Sequence, residues 1–538
     1  MARDTGSQEK DSAQKAPKQR NWVRALAAIL LCGIGFLLAR APLFRETTVI
    51  VDAGGCRLVT DVVDAGEDDA KGYVILFHGL AANKKIMSFI ARGFALQGLR
   101  VFVPDLPGHG RTQGPFSYER AETCGDSFVR QMIGRGAVEA KRTILAGHSM
   151  GGAIAIKVAA RVPVAGVIAI SPAPMVTTYG IEKSMLIFTN PPPVPAHTLV
   201  LSGSFEPRSI RESARSLLSG ENAASGDYEI ISGATHAGLL LRRNTVAESQ
   251  RWAAQALGID ASVKIPPRLP LVGGVAGLIG IFLLAGPFLR EALGKSSITA
   301  ATQVSAGGQA TDARAQPYDA LAVRKQNVSV RVILELVGLA FVAILVLRVW
   351  NPFGFVHLFE GDYLAGFLLF AGLGLLSLQY KKVSALLDVN WKHLLGAAFA
   401  AVVVPLLIYA WLDLTLTEAW MTPARWLRLP AVLLLALPFH AAEELALGPA
   451  MRTRLSKTRL IYALGLRALL WGVLLIGIVG LHNGEILLAL LAPYFAAFCL
   501  LQRTGMDVVR SSTGSALAAA IFGAILLAGF SAVVFPIS

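Results

Sequence analysis

The chain has 538 residues, too many for one domain and enough for about two to four. Hydrophobic residues make up 54% and charged residues only 16%, which excludes an ordinary soluble protein and points to membrane spans. The net charge of +14 suggests nucleic acid, but residues 46–262 carry 21 basic and 20 acidic side chains, so the soluble stretch has no basic excess and nucleic acid is excluded as a partner.

Residues 1–21 are polar and mixed in charge, the pattern of a disordered cytoplasmic tail. Trp22 to Leu38 form an apolar run broken only by Arg24, and residues 22–42 are expected to be an N-terminal transmembrane anchor. Ala39-Arg40-Ala41 also fits a signal-peptide cleavage site, but the apolar run exceeds the usual signal core. Under either reading the next stretch of chain is exported.

Residues 46–262 alternate short β-branched runs with amphipathic stretches. The runs are Thr48–Val51, Tyr73–His78, Val101–Pro104, Thr143–Ala146, Val167–Ile170, Thr198–Ser202 and Glu229–Ser232. Strands alternating with helices imply βαβ units and a mostly parallel sheet, an α/β domain. Cys56 and Cys124 fall here, while Cys32 and Cys499 fall in apolar segments. An exported domain permits a Cys56–Cys124 disulfide; the other reading is two small buried hydrophobes.

Residues 269–538 read as an all-α transmembrane domain of about eight helices. The spans lie near 269–289, 330–349, 363–380, 394–412, 428–447, 460–480, 486–502 and 515–535, with a flexible cytoplasmic loop over 291–328. The loops test this order. Those around 290–328, 381–393, 448–459 and 503–513 are basic, with Arg290, Lys381, Lys392, Arg459 and Arg510 among their charges. The intervening loops carry Glu360, Asp362, Asp413, Glu418 and Glu485, with one basic residue, Arg425. The positive-inside rule then places the N-terminus in the cytoplasm and residues 46–262 outside it.

The chemistry centres on Gly147-His148-Ser149-Met150-Gly151. The strand Arg142–Ala146 runs into it and a helical run, Ala153–Ala160, leaves it, the setting of a nucleophile elbow. Upstream, Tyr73–Phe77 ends in His78-Gly79-Leu80, and a second strand ends in Pro104-Asp105-Leu106-Pro107-Gly108-His109-Gly110. Together these motifs resemble the α/β-hydrolase superfamily, in particular its monoacylglycerol-lipase and serine-aminopeptidase-like branch, over about two-fifths of the chain.

The resemblance implies the order nucleophile, acid, histidine. Ser149 is then the nucleophile. Glu206, in the loop after Thr198–Ser202, stands where similar enzymes usually carry an aspartate, and His236, in the loop after the last strand, is the general base. The oxyanion hole falls to the backbone N–H groups of Leu80 and Met150. His78 and His148 flank the site and are expected to pack or hydrogen-bond. No metal or other cofactor is implied. The segment Ser171–His197 is too short for a full cap, which implies an open pocket or a small flap.

The expected activity is ester hydrolysis through an acyl-enzyme, on a small acyl or lipid ester, with the lipid bilayer as the other partner. The alternative is a transporter or membrane scaffold whose hydrolase-like domain binds without cleaving. A second cluster, His440 with Glu443 and Glu444, lies on one face of a span. The Glu443-Glu444 pair resembles the CPBP family of intramembrane proteases. It departs from that pattern because the next arginine, Arg452, is eight residues beyond Glu444 and no histidine follows His482. These side chains are expected to pair internally or to sit near the cytoplasmic interface. Glu335, four residues after Arg331 in another span, forms a similar charged pair.

Overall fold

The computed structural model describes residues 9–40, 44–64, 66, 69–178, 181, 186–188, 193–195, 197–219, 226–293, 330–387, 390–448, 457–481 and 484–538, with side chains from residue 23. Its sheet has eight strands: β1 (Arg45–Ala53), β2 (Cys56–Asp64), β3 (Gly72–Phe77), β4 (Leu99–Pro104), β5 (Thr143–His148), β6 (Gly166–Ile170), β7 (Thr198–Gly203) and β8 (Gly226–Ile231). Their order is β1-β2-β4-β3-β5-β6-β7-β8. The β1–β2 and β2–β4 pairs are antiparallel and all others parallel.

The central strands are buried on both faces because helices cover both. These helices are α2 (Ser88–Ala95), α3 (Tyr118–Gly134), α4 (Met150–Ala159), α5 (Arg208–Ser216) and α6 (Arg243–Leu257), numbered after the N-terminal helix α1 (Glu9–Ala39). Strands sandwiched in this way read as continuous apolar runs, as β3 and β5 do. Strand β2, which the sequence reading omits, alternates buried and exposed residues near the sheet edge. Gly54 and Gly55, both at positive φ, make the two-residue turn that pairs it with β1. Cys56 on β2 and Cys124 on α3 form a disulfide across this edge, with their Cα atoms 5.6 Å apart.

The expected tail is revised in part. Helix α1 begins at Glu9, so the backbone over 9–21 is helical rather than disordered, in keeping with its Glu, Lys, Gln and Ala content. Helix α1 ends at Ala39, and its apolar part, Val23–Ala39, is shorter than the membrane-length helices that follow.

Among the described residues, eight helices are long and apolar enough to cross a membrane. They are α7 (Leu269–Ala292), α8 (Val330–Val349), α9 (Gly361–Leu378), α10 (Trp391–Thr415), α11 (Leu429–Leu447), α12 (Lys457–Gly480), α13 (Ile486–Thr513) and α14 (Ala516–Val534). Almost all of the expected loop over 291–328 lies outside the described residues. Between apolar helices in lipid, close backbone approach takes over from the hydrophobic drive. Accordingly α1 packs on α7 through glycine: a β-carbon on Gly35 would stand 2.6 Å from Gly273 O. Trp411 of α10 then donates from Nε1 to Gly274 O at 2.7 Å.

The two halves are joined by hydrogen bonds and by aromatic packing. The last residues form a short strand-like bridge. Ile537 pairs with Leu358, Ile537 N donates to Gly108 O at 3.1 Å, and Phe116 N donates back to Ile537 O at 2.6 Å. Phe359, just before α9, packs edge-on against Phe116 and Tyr118 of the sheet-bearing half.

Candidate active site

Ser149 occupies the turn between β5 and α4 with φ 54° and ψ −119°, a conformation that non-glycine residues avoid. The surrounding strands hold it there. Its N–H donates to Ile170 O at 3.0 Å, and its carbonyl accepts from Ala153 N and Ala173 N. The flanking glycines are required sterically: a β-carbon on Gly147 would collide with Gly151 O, and one on Gly151 with Phe77 O.

Glu206 and His236 come together at the far end of the sheet. His236 Nδ1 lies 2.7 Å from Glu206 Oε1, with the carboxylate side chain fully buried and the imidazole partly exposed. The other carboxylate oxygen, Oε2, accepts from Gly203 N at 2.6 Å. Burial alone would raise the Glu206 pKa, but hydrogen bonds from His236, Ser171 and Gly203 hold it below the usual value. Ser149 and His236 have no direct hydrogen bond between them in this structure, a separation that commonly closes when substrate binds.

Ser171 is a site residue that the motif reading missed. It directly follows β6, at positive φ, and is fully buried. Its hydroxyl donates to Glu206 Oε1 at 2.5 Å and lies 3.0 Å from His236 Nδ1.

The flanking histidines hydrogen-bond, as expected. His148 Nε2 donates to His236 O at 3.1 Å, which ties the nucleophile turn to the histidine loop. His78 accepts from Leu106 N on Nε2, and its Nδ1 bonds Gly79 O at 2.8 Å. His109 Nε2 accepts from Ala81 N at 3.1 Å. Burial lowers the pKa of His78 to about 4 and of His148 to about 3, and takes His109 well below its ordinary value, so all three are neutral braces.

The residues expected to supply the oxyanion donors lie close to Ser149. A β-carbon on Gly79 would stand 3.2 Å from Ser149 Cβ, which puts the Gly79–Leu80 peptide against the serine. Met150 opens α4, where the first N–H groups lack helical partners. Among the described residues, neither the Leu80 nor the Met150 N–H donates to another protein group. The Leu80 side chain packs against the hydrophobic cores of both halves of the molecule. In the first of these cores, Phe116, Tyr118, Phe188 and Phe359 form a run of edge-to-face rings. The remainder of the expected flap, including Met185, Pro191 and Pro192, lies outside the described residues.

In the membrane half, His440, Glu443 and Glu444 pair internally. Glu443 meets Arg467 at 2.7 Å and Arg503 at 3.1 Å; Glu444 meets Arg459 at 2.7 Å and Arg503 at 2.5 Å. Asp507 joins through Arg459 at 2.9 Å. His440 sits 3.9 Å from Glu443. Glu335 pairs with Arg331 at 2.6 Å.

Residues 74–333 match the profile of the alpha/beta hydrolase family. A monoacylglycerol lipase from Mycolicibacterium smegmatis is 33% identical over 121 residues, 22% of this chain and 43% of that protein. Lipase 3 from a Moraxella species is 34% identical over 104 residues, 19% of this chain and 32% of the relative. The chain thus spans less than half the length of these curated relatives. Among solved structures, a thermophilic esterase from Thermogutta terrifontis aligns at 18% identity over 39% of this chain and 99% of its own, with a TM-score of 0.31. The sheet-bearing half of the protein has an α/β-hydrolase fold, joined to a bundle of eight helices of membrane-spanning length.

Proposed function

We propose that this protein is a membrane-bound serine hydrolase that cleaves an acyl or lipid ester through an acyl-enzyme. The 2.7 Å hydrogen bond between His236 Nδ1 and Glu206 Oε1, beside a serine held in a nucleophile turn, carries the proposal. In the reaction, His236 Nε2 takes the proton from Ser149 Oγ as the hydroxyl attacks the ester carbonyl. Glu206 keeps Nδ1 protonated and offsets the charge of the imidazolium. The N–H groups of Leu80 and Met150 receive the developing oxyanion. Collapse of the tetrahedral intermediate expels the alcohol with the proton from His236. Water then repeats the sequence on the acyl-enzyme to release the acid.

The names of the similar lipases support an ester substrate. An acyl or lipid substrate is favoured by the eight apolar helices of membrane-spanning length joined to the hydrolase fold, which would hold the site beside a bilayer. The N-terminus is cytoplasmic and the hydrolase domain extracytoplasmic, supported by the basic loops and by a disulfide suited to an oxidising compartment.

A fluorophosphonate probe applied to membranes containing the full chain tests this. Wild type should be labelled and Ser149→Ala should not. Equal labelling would remove Ser149 from the chemistry. Parallel assays of p-nitrophenyl esters of graded chain length read the substrate class.

A further inference from the structure

A cavity of about 350 Å³, away from Ser149, lies where the anchor helix α1 and helix α10 end together. Its walls come from the last residues of both helices, the start of β1, the middle of β2 and the first turns around α2. On the membrane-bound reading proposed above, α1 and α10 leave the bilayer at this level, so the cavity sits at headgroup depth. Phe36 and Leu414 open onto it and are 38% and 64% exposed, which gives it an apolar flank on the membrane side.

Its charges are unequally matched. Lys84 reaches into the cavity, but its ammonium is surrounded by carboxylates: Glu418 in direct contact, Asp61 at 3.5 Å and Asp105 at 3.7 Å. Arg92 pairs with Glu46 at 2.6 Å. Among the described residues the remaining two cations make no ion pair within 4 Å, although Asp413, Glu418 and Asp61 act on Lys85 from farther away. Among the described residues, Arg40 has no carboxylate within 4 Å and lies with its guanidinium 4.7 Å from the Phe36 ring. Lys85 donates to the carbonyl of Asp413, a neutral acceptor, while the Asp413 carboxylate is engaged by Arg111 at 2.8 Å. The Ser88 hydroxyl also lines the wall. A monoanion with several acceptor oxygens, carried on an apolar tail, complements this arrangement.

We propose that this cavity binds the phosphodiester headgroup of an anionic phospholipid, with Arg40 and Lys85 as its cationic contacts and the acyl chains running along Phe36 and Leu414. A phosphate oxygen accepts from guanidinium and ammonium donors, the charge-assisted form of hydrogen bond. The site leads toward the active centre through the chain itself. Lys84 and Lys85 begin the short turn that follows Leu80–Asn83, and Asn83 is tied to Thr417 at 2.8 Å. A bound headgroup therefore braces the turn next to the expected oxyanion donor.

The test uses the full chain in mild detergent. Its thermal unfolding is followed with added phosphatidylglycerol, phosphatidylcholine or inorganic phosphate. Phosphatidylglycerol should raise the midpoint, while phosphatidylcholine and millimolar phosphate should not. The Arg40→Gln/Lys85→Gln double variant should lose that response. Native mass spectrometry of each single variant provides a readout that does not depend on stability. Each should hold phosphatidylglycerol about fivefold more weakly than wild type, the effect of one basic side chain near an anionic lipid surface. Equal response to both lipids, or undiminished binding in the variants, overturns the site. Inorganic phosphate matching phosphatidylglycerol would overturn the lipid assignment and identify free phosphate as the ligand.

Discussion

Ser171 and His236 converge on one carboxylate oxygen, Glu206 Oε1, at 2.5 and 2.7 Å. The serine hydroxyl thus supports the acid that supports the histidine. A hydrogen bond to a charged group contributes about 1.5–3 kcal/mol. Ser171→Ala should lower kcat/KM for ester hydrolysis by roughly tenfold, with most of the loss in kcat. Alanine keeps the β-carbon at this positive-φ position and adds no backbone strain, so the unfolding midpoint should fall only by the few degrees that the lost hydrogen bond accounts for. An unchanged kcat would show that Ser171 only fills space.

Glu206 is the proposed acid, and the expected loss is larger. Glu206→Gln keeps the shape but supplies a neutral side chain where an imidazolium forms, and it allows the wrong histidine tautomer. Turnover should fall by about 10⁴-fold, by analogy with the neutralised acid of other triads. Fluorophosphonate labelling should slow in parallel. Substitution of His148 by Asn should lower kcat by loosening the His236 carbonyl, yet leave the acid limb of the pH–rate profile in place. His148 is already neutral there, its pKa pushed down to about 3 by burial. Rate against pH for the wild type and the variant separates the two effects.

Much of this site was legible because its elements carry strong local signals. The runs in β3, β5 and β7 are continuous and apolar since both faces are covered, and the glycines around Ser149 are fixed by backbone collisions. The eight long helices were visible for a similar reason, as lipid imposes a length and a composition on each. Strand β2 was missed because it lies near the sheet edge: Arg57, Asp61 and Asp64 interrupt the apolar run, and only the Gly54-Gly55 pair signals the hairpin. Ser171 has no spacing relation to an acid 35 residues later; only the parallel pairing of β6 with β7 brings them together. The contact between Lys84 and Glu418 spans 334 residues and depends on how the two halves dock.

That contact leads to a pH prediction. Glu418 is pushed up to about 7, first by burial and then by Asp105 nearby, while Lys84 opposes the shift. A carboxyl whose folded pKa is raised contributes its stability while protonated. The contribution is complete below the unfolded value near 4.5 and is lost as pH rises through about 7. Wild type should therefore lose stability relative to Glu418→Gln between pH 5 and pH 8, by at most about 1.4 kcal/mol per pH unit for one proton. Paired thermal melts of the full chain across this range read the difference. A difference independent of pH would mean that Glu418 does not titrate there.

The disulfide gives a prediction that bears on location as well as stability. Cys56 and Cys124 are 68 residues apart, so their bond closes a long loop of the unfolded chain. Cys56→Ala/Cys124→Ala should lower stability by about 2–4 kcal/mol. Dithiothreitol should lower the unfolding midpoint of wild type but not that of the double variant. Free thiols at both positions in protein taken directly from cells would argue against an oxidising compartment for this domain.

Arg503 is the hub of the buried charges in the membrane half, meeting Glu443 at 3.1 Å and Glu444 and Asp507 at 2.5 Å each. Its removal leaves three carboxylates to Arg459 and Arg467, with Arg510 3.7 Å from Glu444. An uncompensated buried charge costs about 3–5 kcal/mol, so Arg503→Leu should sharply reduce the yield of folded, monodisperse protein. Neutralising a carboxylate as well, in Arg503→Leu/Glu444→Gln, should restore part of that yield, because the penalty comes from the unpaired charge. A double-mutant cycle on unfolding midpoints measures the coupling. If the network only holds the helices together, ester turnover per folded molecule should be unchanged in the restored variant. Loss of turnover in well-folded protein would instead give these charges a part in the chemistry at Ser149.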